Sequence, residues 1–310
     1  MDKNLIQRII TGTIFIIVLV GCIMWNAWSM AGLFLLITIL GLHEFYKLAE
    51  KANVQPQKWY GIFLGAFLVL LAFIQVVHPI PLLNFTLLPL FFLPFFIELY
   101  RKKENPFSNI GWTFLGIIYI AVPFALLVYA FTPGFIQHII PATGLSMPSS
   151  WTTERLYDYR PLLTIFVLIW ISDTMAYVCG RLFGKHKLWE RISPKKTWEG
   201  FIGGFIFTVV AGGMIANWIL YNRHDYSQEL KWICIAAVIS VTGMLGDLVE
   251  SLFKRSINVK DSGTILPGHG GILDRFDALL LATPFALFTY WIMDHILLNH
   301  PFWNTCHYVR

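Results

Sequence analysis

Nine stretches of the chain stay apolar for close to the length of a membrane-crossing helix: 9–27, 29–46, 60–77, 80–100, 110–131, 162–179, 201–221, 232–249 and 278–297. A helix rising 1.5 Å per residue needs roughly 20 such residues to cross a hydrocarbon core of about 30 Å. The pattern predicts an all-α, polytopic integral membrane protein with about nine transmembrane helices. Lys3 and Arg8 precede the first run as they would in a signal peptide. That run is long, lacks a small-x-small cleavage site and leads directly into the second, so it is expected to stay as an anchor. Three regions follow from the pattern: helices over 1–131, an extracytoplasmic loop at 132–161, and helices with charged loops over 162–310.

Composition agrees with this reading. A chain that is 56% hydrophobic and 13% charged is neither a typical soluble domain nor a disordered one. Of its 23 Lys and Arg residues, 18 fall in loops on the same side as the N-terminus, which the positive-inside rule makes cytoplasmic. The sequence pI near 9.0 is therefore a topological signal, and no nucleic-acid partner is expected. Cys22, Cys179, Cys234 and Cys306 lack metal-ligand spacing and read as apolar fillers.

Against that background, three polar segments stand out. The eighth span ends in GMLGDLVESLFKR, which places Asp247, Glu250, Ser251 and Lys254 on one helical face. A snorkelling helix end with an Asp–Lys pair and a ligand-bearing stripe both account for it. The ninth span is entered through HGGILDRFD. Asp277 is explained by the dipole of a first helical turn, Asp274 less well, because Gly270 and Gly271 imply a close approach to the backbone just before it. His269 sits among these glycines as a structural hydrogen-bonding group or a phosphate contact.

The sixth span supplies the third segment. Asp173 interrupts an apolar run, and an intramembrane acid is costly unless paired, bound to a cation or hydrogen-bonded between helices. After it come Arg181, Lys185, His186, Lys187, Arg191, Lys195 and Lys196, with Ser193 and Thr197 adding hydroxyls beside the last two ammonium groups. Topology explains much of this charge, while the hydroxyls suit phosphate. Other features read as architecture. Gly204, Thr208, Gly212 and Ala216 form a small-residue packing stripe, and His43, Glu44 and Glu98 are expected at the interface.

With those residues in view, the chain resembles the bacterial phosphatidate cytidylyltransferase (CDP-diglyceride synthase) family. The resemblance rests on Ser251, Phe253, Lys254, Arg255, Lys260, Asp261, Gly263, Leu266, Pro267, His269, Gly270, Gly271, Ile272, Asp274, Arg275, Phe276 and Asp277, all in register with the family pattern. It extends to SDTMAYVCGRLFGKHKL and ISPKKTWEG, so it covers roughly 172–277, whereas the N-terminal spans match only in being apolar. The resemblance implies transfer from CTP to phosphatidate, giving CDP-diacylglycerol and pyrophosphate in phospholipid biosynthesis at the cytoplasmic face of the inner (plasma) membrane. It implies Mg²⁺ held by Asp247 and Asp274, with Asp173 and Asp277 as further candidates, a second cation that is monovalent, and a homodimer in the bilayer.

Catalytic roles would then fall to Asp247, Asp274, Lys254, Arg255, His269 and Arg275. Substrate binding would fall to Asp173, Ser193, Lys195, Lys196, Thr197, Lys260, Gly270 and Gly271. Two alternatives remain open at this point: a CTP-dependent polyprenol or lipid kinase, and a transporter using the intramembrane acids as ion sites.

Overall fold

The computed structural model describes residues 3–77, 80–131, 157–217, 226–263, 265 and 270–299. Most of the expected outer loop, His269 and Cys306 lie outside the described residues. Among the described residues, eight helices are long and apolar enough to cross a membrane: Ala27–Lys51, Lys58–Val77, Leu83–Arg101, Pro106–Phe131, Tyr159–Phe183, Trp198–Ile215, Tyr226–Ser256 and Leu273–Met293. The first expected span lies in the Lys3–Trp25 helix, but its apolar part, Ile10–Trp25, is shorter than the others. Eight long helices and this shorter one therefore stand where nine comparable spans were expected. Large apolar side chains such as Ile17, Phe63, Leu99, Leu182 and Phe288 face outward, as they do where the surroundings are lipid.

Helix ends and breaks have local causes. Asn26 closes a capping box: its carbonyl Oδ1 accepts from Ser29 N at 2.8 Å while Asn26 N donates to Ser29 Oγ at 3.2 Å. The fourth expected span divides into Pro81–Phe85 and Leu87–Arg101. Within the second of these, Pro94 has no N–H to offer Leu90, and the Tyr60 hydroxyl donates to the Leu90 carbonyl instead. The Pro106–Phe131 span contains a π-helical stretch at Ile117–Ala121. The described residues also include one short pair of strands. A short antiparallel hairpin joins Lys187–Trp189 (β1) to Ser193–Thr197 (β2), pairing Lys187 with Thr197 and Trp189 with Ser193.

The chain divides into two compact units, Met1–Tyr159 with Phe253–Phe276, and Arg160–Leu252 with Asp277–Arg310. In the first, Met30, Phe34, Leu42, Phe45, Leu64, Ile117, Ile120 and Phe124 form the core. Aromatic contacts explain why the late segment groups with the early helices. Phe253 stacks on Phe45 with ring centroids 5.2 Å apart, and Phe276 meets Phe124 edge-on at 5.5 Å.

Glu98, expected at the interface, is buried within this unit. It accepts from Gln57 Nε2, Asn109 Nδ2 and Arg101 Nη1, each at 2.8 Å. A carboxylate with three donors is a structural anchor, because its charge has been matched where it lies.

In the second unit the small-residue stripe behaves as expected. A Cβ at Gly204 would sit 2.8 Å from the Ser172 carbonyl oxygen, and one at Gly212 would sit 2.6 Å from Ala236 Cβ. The Trp198–Ile215 helix thus packs backbone-close on both Tyr159–Phe183 and Tyr226–Ser256. Ser172 and Ser240 hydroxyls, 3.0 Å apart, tie those two partners together.

Packing in the first unit yields a test at Tyr46, whose buried hydroxyl donates to the Thr113 carbonyl at 2.7 Å and whose ring fills the space a Gly61 side chain would need. Gly61→Ala should cost about 1–3 kcal/mol through overpacking, and Tyr46→Phe about 1 kcal/mol through the lost hydrogen bond. Thermal unfolding in detergent should rank Gly61→Ala below Tyr46→Phe and both below the parent. A Gly61→Ala variant that melts with the parent would contradict the packing.

Candidate active site

Among the described residues, the acids expected at the site fall into one charged cluster in each unit. In the second unit Asp247 lies on the Tyr226–Ser256 helix, with Lys196 Nζ 2.6 Å from its Oδ2 and Ser251 Oγ donating to its Oδ1 at 3.2 Å. The i, i+4 spacing that predicted a shared face for Asp247 and Ser251 is what closes the second contact. Asp173, on the Tyr159–Phe183 helix, interacts electrostatically with both Asp247 and Lys196. It keeps an accessible surface even though its helix is a membrane span. Two carboxylates thus share one ammonium. The cluster carries net negative charge, and hard oxygen donors in that balance fit a divalent cation completed by phosphate oxygens and water. Among the described residues, no group of three or more His, Cys, Asp or Glu side chains forms a full protein cage.

The hairpin delivers Lys196 to this cluster. Its open end, next to Lys196, is fastened by Glu199, which accepts from the backbone N–H of Lys185 at 3.1 Å and from His186 N at 3.2 Å, with His186 Nδ1 at 2.6 Å. Thr197, expected to bind phosphate, is buried as the N-cap of the next helix, where its hydroxyl oxygen accepts from Gly200 N at 3.2 Å. Lys195 is exposed and Ser193 partly buried on the same strand.

In the first unit Asp274 begins the Leu273–Asn299 helix. Its Oδ1 takes Lys254 Nζ at 2.6 Å, and its Oδ2 accepts from Ser262 N at 3.0 Å, Ser262 Oγ at 2.9 Å and Gly271 N at 2.8 Å. The Lys254 and Asp274 side chains are each only 13% exposed, so screening by water is weak. The close approach expected at Gly270 and Gly271 is present. Gly270 adopts φ +82°, and a Cβ there would come within 2.6 Å of Asp274 Oδ2, while one at Gly271 would overlap Ser262 and Glu44. It is the protein's own carboxylates that approach the backbone at these glycines.

Of the remaining expected residues, Arg255, Lys260 and Arg275 are exposed. Asp277 is partly buried, and its Oδ1 accepts from the next backbone N–H, Ala278 N, at 2.7 Å.

Glu44 was expected at the interface. It is 3% exposed beside Asp274, accepting from Leu273 N at 3.1 Å and Ser262 Oγ at 3.4 Å. A signal for this existed in the helical register. Ile37, Gly41, Glu44 and Leu48 follow one another at i+4, i+3 and i+4, so Glu44 falls on the buried stripe of its helix.

A model of the cytidylyltransferase family matches residues 6–293. The chain is 50% identical over 123 residues to the phosphatidate cytidylyltransferase of Staphylococcus haemolyticus, covering 40% of this chain and 46% of that one. It is 48% identical over 135 residues to the protein of the same name from Staphylococcus saprophyticus, covering 42% and 50%. A third, from Staphylococcus aureus strain COL, is 47% identical over 125 residues, covering 40% and 46%. The matched region spans about half the length of each of these relatives.

The Lys254–Asp274 pair makes its own prediction. Lys254→Met strands a largely buried carboxylate and should cost about 3 kcal/mol, and adding Asp274→Asn should recover part of that loss. Thermal unfolding in detergent of the two single variants and the double variant checks this. Strictly additive losses would contradict the coupling.

Proposed function

Because the chain belongs to the cytidylyltransferase family, we propose that it is a phosphatidate cytidylyltransferase, converting CTP and phosphatidate to CDP-diacylglycerol and pyrophosphate. The observation that carries the reading is the pairing of each key acid with a lysine: Asp247 with Lys196, and Asp274 with Lys254. The names of the staphylococcal relatives point the same way.

The chemistry asks for this kind of equipment. A phosphate monoester has its second pKa near 6, so the phosphatidate oxygen is already largely ionised near neutral pH and attacks the α-phosphorus of CTP without a general base. One P–O bond forms to the lipid phosphate as the bond from the α-phosphorus to the bridging oxygen breaks, and pyrophosphate leaves with that electron pair. The obstacle is the meeting of two polyanions, so what the protein must supply is charge neutralisation and alignment.

Lys196 and Lys254 suit that task. An ammonium has three donors, and one spent on a carboxylate leaves others for phosphate oxygens. Arg255 and Arg275 suit a two-point grip on phosphate, and Lys260 and Lys195 add point charges. His269 joins them on the family pattern alone.

Mg²⁺, when bound, would neutralise the triphosphate and polarise the α-phosphorus. Asp247 would hold it with Asp173 alongside, Asp274 is assigned as a second ligand, and a monovalent second cation belongs to the same reading. Asp277 is a further candidate ligand on the same reading. Phosphatidate keeps its acyl chains in the leaflet, which is consistent with a membrane enzyme, and the 18 of 23 cationic residues on the N-terminal side support a cytoplasmic active face in the plasma membrane. A homodimer is part of the same proposal.

Purified protein given CTP, phosphatidate and Mg²⁺ should form CDP-diacylglycerol, detected by mass spectrometry of extracted lipid, and chelation of Mg²⁺ should stop it. Asp247→Asn and Asp274→Asn should each lower the rate about a hundredfold or more while the protein stays folded in detergent. Near-full activity of either variant at saturating Mg²⁺ would overturn its assignment as a metal ligand.

A further inference from the structure

The turn that holds Asp274 is itself held from a distant helix. Glu44, in Ala27–Lys51, accepts from Leu273 N, the first residue of the helix that carries Asp274, and contacts the Ser262 hydroxyl, which also lies 2.9 Å from Asp274 Oδ2. A serine hydroxyl has one hydrogen, so Ser262 stands between two carboxylates and can donate to only one of them at a time. The space is closed on Glu44 as well. A side chain at Gly263 or Gly271 would overlap its carboxylate. Yet Glu44 Oε1 has no hydrogen-bond partner among the described residues, although it is buried.

A carboxylate left half-satisfied in an apolar interior is a poor way to stabilise a fold, and an apolar side chain of similar volume would serve stability at least as well. Glu98 in the same unit shows the contrast, since all three of its donors are present. We propose that Glu44 is a positioning residue: through the Leu273 N–H and the Ser262 hydroxyl it sets the turn that presents the Asp274 carboxylate. Removing it leaves the helix bundle intact and loosens Asp274. The proposal rests on the reading of Asp274 as a ligand-bearing acid.

The test uses the full-length protein in detergent with Glu44→Met, which keeps volume and removes both acceptors, and Glu44→Gln, which keeps one acceptor. Without nucleotide or lipid, hydrogen exchange over residues 262–273 and Mn²⁺ affinity by electron paramagnetic resonance are measured; kcat and KM for CTP follow separately. Glu44→Met should exchange about tenfold faster at Leu273 and bind Mn²⁺ about tenfold or more weakly. Its kcat should fall while KM for CTP changes less than twofold, and its melting temperature should equal or exceed the parent's. Glu44→Gln should recover most of each loss.

Should Glu44→Met fail to fold, Ser262→Ala and Glu44→Gln carry the comparison, and unchanged Mn²⁺ affinity in Ser262→Ala overturns the proposal. It is also overturned by parent-like exchange and Mn²⁺ affinity in Glu44→Met, by a lower melting temperature with unchanged Mn²⁺ affinity, or by a parent that binds no Mn²⁺. A parent that shows these shifts yet makes no CDP-lipid would sink the reaction and leave the positioning role standing.

Discussion

A carboxylate among lipid-soluble helices is tolerated only where donors or cations match it, and that constraint shapes both units of this protein. Asp274 collects Lys254, both polar groups of Ser262 and the Gly271 N–H. To bring four donors onto one side chain, the backbone must turn tightly at Gly270 and leave Gly271 bare. Phe253 and Phe276 pin the ends of the segment 253–276 to the N-terminal helices, and the polar turn between them is organised about one acid.

The second unit meets the same constraint with a different outcome. Asp247 has one lysine and one serine, and Asp173 shares the field of that lysine. Glycines at 200, 204 and 212 let three helices approach at backbone distance, so the acids are carried on a rigid frame. Asp274 is saturated by its surroundings, whereas the Asp173 and Asp247 pair keeps an excess of negative charge. The two acids therefore differ in how completely the protein's own donors match them. The chain that carries both clusters belongs to the cytidylyltransferase family.

Much of this was legible in the sequence because lipid imposes long, simple patterns. Runs of about 20 apolar residues mark spans regardless of tertiary detail, and the i, i+4 relation of Asp247 to Ser251 survived as a hydrogen bond. The hairpin was not legible, since strands of three and five residues carry too little alternation to separate them from a basic loop. Thr197 was read as a phosphate donor because its neighbours are lysines, but the same hydroxyl is what a helix start requires. The partners of Glu44 and Glu98 were not legible for a common reason. Near the ends of spans, an interfacial acid and a buried one look alike until their partners are known, and the partner of Glu44 lies 229 positions away at Leu273.

The central claim is that these paired charges serve attack on the α-phosphorus of CTP by a lipid phosphate. Incubation with CTP labelled at either the α- or the γ-phosphate, with phosphatidate and Mg²⁺, tests it most directly. The α-label should enter the lipid and the γ-label should leave as pyrophosphate; γ-label in the lipid, the mark of a kinase, would contradict the account.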